Sequence, residues 1–192
     1  MIRTRSAQRI LSRTRFSLGF LAVGSAAAMM MCSGCVHYVN WPPVEGQTSF
    51  ANPNINGVDD IITVSMGWVV SRFPPAGYDG EVALNLPEQM SPTMQEHVAM
   101  QASDRTVVLT PEHSHLPIYH FKSVRTNGTR AEVEVLRPVL EAGPASTGEP
   151  LYQGYTLYLR GSFHDWRVDR WREWSVGTLT TPPLAFVEMP EG

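Results

Sequence analysis

The chain has 192 residues, 43% of them hydrophobic, with 15 basic against 18 acidic side chains and two cysteines. That is enough apolar material for the core of one domain and too few cysteines for a disulfide-built scaffold. Arg3, Arg5, Arg9, Arg13 and Arg15 carry all the charge of the first 34 residues, so 10 basic and 18 acidic residues remain from 35 onward, a net of −8. So acidic a balance argues against nucleic acid as a partner and predicts repulsion from anionic headgroups.

Behind the five arginines, residues 16–31 carry no charge and are rich in Ala, Leu, Gly and Met. A basic start followed by a short apolar run is the layout of an export signal. At 16 residues, diluted by Ser17, Gly19, Gly24 and Ser25, the run falls short of the roughly 20 that a spanning helix needs. Cys32-Ser33-Gly34-Cys35 comes next. It resembles the lipobox of bacterial lipoproteins, in which two small residues precede the cysteine that receives lipid. Cys32 stands where leucine is usual, and cleavage before Cys32 itself would put Met30 and Met31 where small residues are needed. The resemblance implies that residues 1–34 are removed as a signal peptide and that Cys35 is the lipidation site. Its palmitate-type acyl chains would be the membrane anchor, each buried CH₂ contributing about 0.8 kcal/mol. Val36, in place of an aspartate retention signal, implies the periplasmic face of an outer membrane. The same four residues spell C-x-x-C, but cleavage separates the two thiols and no other cysteine exists to pair with either.

Residues 35–57 follow as the lipidated cysteine and a flexible tether, rich in Pro, Asn and Gly, with Trp41 and Phe50 placed to dock on the domain. A single domain is expected over 58–180. Val58, Ile62, Met66, Val69 and Phe73 recur at helical spacing, with Ile61 and Val70 flanking, Asp59 and Asp60 in the first turn, and Pro74-Pro75 as the stop. A strand is predicted over 81–86, a short helix from Ser91-Pro92 to about Ser103, and a strand over 106–109. Asn127-Gly128 is read as a two-residue type I′ hairpin turn. That turn puts Val124 opposite Ala131, Lys122 opposite Val133 and His120 opposite Val135. After a Gly/Pro/Ser loop over 141–150 comes a second hairpin, 154–161 and 166–176, turning at Ser162–Asp165 with a bulge expected near Trp171. Leu157 and Leu159 point one way there, Tyr158 and Arg160 the other. Residues 181–192 read as a Pro-rich extended tail.

Two helices before a run of long hairpins predict an α+β fold, a curved antiparallel sheet with one or two helices packed on one face. The stretch from Tyr155 to Gly177 is similar to the last two strands of NTF2-like or cystatin-like domains, whose sheet wraps a helix into a cone. That resemblance implies a small-molecule binder or enzyme as one alternative, with His120 and Asp169 as the imaginable acid–base pair. A second alternative is a metal-binding envelope protein using His113, His115 and His120, since neutral imidazoles near one another can hold Zn²⁺ or Cu²⁺. Trp166, Trp171 and Trp174 with Tyr155 and Tyr158 are read as packing between strands. Asp169 would then pair on the surface with Arg167 or Arg170. There is no G-x-S-x-G elbow, no Gly-rich phosphate loop and no H-E-x-x-H, so no catalytic residue or cofactor is assigned. The expectation is a lipid-anchored, non-catalytic envelope protein that binds or braces a partner there.

Overall fold

The computed structural model describes residues 38–50, 52–54, 57–143, 150–161 and 165–188. The leader and Cys35 lie outside them, as do residues 144–149 of the loop over 141–150, the turn residues 162–164 and residues 189–192 of the tail. Residues 37–192 form one compact unit, separate from 1–36, and all of the core described below lies inside it. A unit with its own core is a part that folds alone.

Among the described residues, helices α1 (Val58–Arg72) and α2 (Pro92–Ala102) pack on a seven-stranded sheet. Its strands are β1 (Val39–Trp41), β2 (Val82–Asn85), β3 (Thr106–Val108), β4 (Ile118–Thr126), β5 (Arg130–Pro138), β6 (Tyr152–Arg160) and β7 (Arg167–Glu173). They lie in the order β3-β2-β4-β5-β6-β7, with β1 beside the far half of β4. The fold is α+β. The sheet is mixed rather than wholly antiparallel, because β2 runs parallel to both β3 and β4. The short helix α2 makes the first of those connections possible, since parallel neighbours need a crossover.

Helix α1 follows from its apolar spacing: Val58, Ile61, Ile62, Met66, Val69 and Val70 are all buried against the sheet. Helix α2 starts where Ser91 caps it, its hydroxyl accepting from the Met94 N–H, with Pro92 in the first turn. Where the two helices meet, Gly67 lies against the Ala102 carbonyl, and a methyl group there would come within 2.5 Å of that oxygen. Glycine in mid-helix is thus a packing choice.

The helix-covered face of the sheet is Val82 and Leu84 on β2, Tyr119, Phe121 and Val124 on β4, Val133 and Val135 on β5, and Tyr155, Leu157 and Leu159 on β6. These side chains and those of α1 are buried against one another in one core cluster.

Two expectations are corrected by the pairing. Residues 39–41 are not tether but strand: Val39 pairs with Thr126 and Trp41 with Val124, and the Trp41 ring packs 5.7 Å from that of Phe121. The first hairpin is displaced by two residues, with Val124 opposite Val133, because the Asn127 carboxamide accepts from the Thr129 and Arg130 N–H groups and tightens the turn one residue later. A bulge at Lys122 then shifts the register once more, so Phe121 faces Val135 and His120 faces Leu136. The bulge expected near Trp171 is present and lies at Asp169, since Tyr158 pairs with Arg170 and Leu159 with Val168.

Residues 174–188, the described part of the chain after β7, hold no helix or strand but are tied down. The Gly177 N–H donates to the Tyr152 carbonyl, Leu179 lies against Gly154, the Ala185 N–H donates to Asn85, and the Val187 N–H donates to the Leu109 carbonyl. It straps the face opposite the helices from β6 across to β3, at the end where Ala83, Leu109 and Ile118 form a small second core.

Candidate functional site

The structure does not bring the three candidate metal histidines together. His113 and His115 sit on a 3₁₀ turn, Glu112–His115, and each spends its Nδ1 on a backbone carbonyl: His113 on Val108 at 2.9 Å and His115 on Glu112 at 2.8 Å. His120 is fully buried beneath the strap. Its Nδ1 lies 2.9 Å from Asn85 Nδ2, and its ring meets Tyr152 edge to face. Among the described residues no group of three His, Cys, Asp or Glu is placed to hold a metal.

Asn85 fixes the tautomer of His120. Its carbonyl oxygen accepts from Ala185, so its amide must donate to both the Pro183 carbonyl and His120 Nδ1. His120 Nδ1 is therefore bare and the ring proton sits on Nε2, which has no hydrogen-bond partner among the described residues. Burial pushes its pKa down to about 4, keeping the ring neutral. Asp169 is on the bulge of β7, two strands beyond β5, and pairs with Arg160 at 3.1 Å rather than with Arg167 or Arg170. The imagined acid–base pair does not form.

The aromatic residues are likewise dispersed. Tyr155 stacks on Phe73 and the half-exposed Trp171 packs on Trp68, both on the helix side, while Trp174 donates to Thr156 on the opposite face. Between α2 and the β3 edge lies a mainly apolar groove of about 830 Å³, lined by Ala99, Met100, Val107, Pro111 and Val187.

The feature with concentrated chemistry is the part of the open sheet face that the strap leaves uncovered. Pairing places Arg130, Arg160 and Arg167 directly opposite one another across β5, β6 and β7. The next row is Arg125, Glu132, Tyr158 and Arg170, and the row after it Ser123, Glu134, Thr156 and Arg172. With Lys122 at the bulge, seven cations meet three carboxylates (Glu132, Glu134, Asp169), a net of +4. Seven of the ten basic residues outside the leader are thus on this one surface.

Two of the seven are neutralised locally, Lys122 by Glu134 at 3.0 Å and Arg160 by Asp169. Among the described residues no carboxylate is within ion-pair distance of Arg125, Arg130, Arg167, Arg170 or Arg172, all of them exposed. Three guanidinium groups are instead held over aromatic rings: Arg125 over Tyr38 at 4.6 Å, Arg170 over Tyr158 at 4.3 Å, and Arg172 over Trp174 at 3.9 Å. Ring stacking orients a guanidinium while leaving its N–H groups for an anion. A cavity of about 240 Å³ opens among Tyr38, Arg130, Glu132, Tyr158, Arg160 and Arg170. The sequence signal was the shared outward parity of Tyr158 and Arg160; only the register could add the rest.

Comparison with protein-family models, with curated proteins and with solved structures finds no match to the chain.

Proposed function

We propose that the chain is exported, cleaved before Cys35 and held by acyl chains on that cysteine at the periplasmic face of an outer membrane. There its α+β unit acts as a binding module without chemistry of its own. The observation that carries the anchor is the order of the first 35 residues: five arginines, an uncharged run, then Ser33-Gly34-Cys35. The binding role draws support from the open arginine face and from the sealed burial of His120. Among the described residues no helix is long and apolar enough to cross a membrane, so they offer no helical alternative to acylation.

The test is made in the cell with the full chain and its Cys35→Ser variant. The wild type is expected to shift down in mass on processing, to incorporate radiolabelled fatty acid and to enter the detergent phase. The variant should stay at precursor size and take up no label. Equal labelling and processing of the two would refute the anchor.

A further inference from the structure

We propose that the arginine face is a membrane-contacting surface that takes the phosphates of anionic phospholipid headgroups in the leaflet holding the anchor. The orientation rests on the lipid-anchor reading above; the affinity of the face for phosphate does not.

The charge distribution is the first ground. From residue 35 onward the chain carries −8, yet the uncovered sheet face carries +4, so the remainder carries −12. Carboxylates more than a Debye length, about 8 Å at physiological ionic strength, from a headgroup plane touching that face are screened from it. The charges that touch the plane directly are the arginines. The repulsion expected from the net charge therefore does not apply to this face.

The second ground is internal cost. Arg130 opposite Arg160, and Arg160 opposite Arg167, are like charges in cross-strand pairs, an arrangement that destabilises a sheet. Asp169 relieves one of the three. A plane of phosphates relieves all of them, and the planar fork of each guanidinium suits a phosphate's paired oxygens.

The third is position. Tyr38 borders the cavity in this face and carries Arg125 on its ring. Cys35 is three residues before it. An extended run of three residues spans at most about 11 Å, so lipid on Cys35 cannot be farther than that from Tyr38 along the chain. Because β1 is paired into the sheet, the long spacer expected between lipid and domain is absent. An anchor that short holds this end of the sheet to the bilayer.

Residues 37–192, which contain their own core and lack Cys35, are used for the test. Their sedimentation is measured with vesicles of phosphatidylcholine alone and of phosphatidylcholine mixed with phosphatidylglycerol, at low and physiological ionic strength. Binding is expected only to the mixed vesicles and should weaken with salt. Each arginine near an anionic surface contributes about fivefold, so the Arg130→Gln/Arg160→Gln/Arg170→Gln variant should bind roughly a hundredfold more weakly. Arg72→Gln, on the helix side, should bind as the wild type does, and a thermal melt confirms that each variant is folded. Equal binding to both vesicle types, or an unaffected triple variant, overturns the proposal. So does a protein that ignores mixed vesicles yet is retained by heparin or polyglutamate, which would make the partner a soluble polyanion. Since Cys35 is not present, failure of fatty-acid labelling in the cell would leave the vesicle result standing, and the reverse holds.

Discussion

His120 shows how one buried ring ties a loose segment to the sheet. Its bare Nδ1 accepts from Asn85, whose remaining polar atoms hold the Pro183 carbonyl and the Ala185 N–H of the strap. A proton on Nδ1 would face the Asn85 amide with a second donor and break the set. The folded pKa of about 4 lies below the ordinary 6.5, so the unfolded chain takes up the proton first as pH falls. The contribution is therefore complete above pH 6.5 and is lost progressively toward pH 4, a total of roughly 3 kcal/mol. In urea titrations across that window, His120→Leu should be less stable than the wild type at pH 7, since the Asn85 donor is stranded, by about 1–3 kcal/mol. Its stability should also vary less between pH 6.5 and 4. An equally steep decline in the variant would mean that some other group titrates.

Helix α1 was legible because its apolar residues recur every three or four positions, and α2 because Ser91-Pro92 announces its first turn. Glycine is a poor helix former, and only the contact with Ala102 explains Gly67 in the middle of α1. Gly67→Ala gains up to about 1 kcal/mol of helix propensity but overpacks a backbone oxygen at a cost of about 1–3 kcal/mol, so a net loss of stability is expected. A raised melting temperature would show that the end of α2 can yield. The hairpins were legible in existence, and β5 and β6 in outward parity, but the register was not, and with it the face that His120 takes on β4. Nothing in the sequence says that the Asn127 side chain will take two backbone N–H groups, or that Lys122 and Asp169 will be extruded as bulges. Strand β1 was hidden for a related reason: three residues in a stretch of Pro and Asn carry no alternation, and pairing with β4 alone makes them a strand. The arginine face inherits both difficulties, since its members come from four strands and meet only when the register is right.

At the scale of the whole molecule the segregation of charge sets stability against binding. Seven of the ten basic residues of this unit share one face, and among the described residues five of those seven have no carboxylate within ion-pair distance. Sites kept for a ligand commonly cost stability while empty. Away from any membrane, Arg130→Gln/Arg160→Gln should therefore stabilise residues 37–192, by about 0.2–1 kcal/mol for each like-charge pair removed. The Arg160 substitution also gives up an exposed ion pair with Asp169, which offsets little of that gain. Screening gives the prediction its second half: the gain should be largest at low ionic strength and shrink as salt is added. Urea unfolding of both proteins at several salt concentrations measures it. A loss of stability at low salt would mean that the arginine rows brace the sheet, and would remove the internal cost that a bound anion is needed to offset.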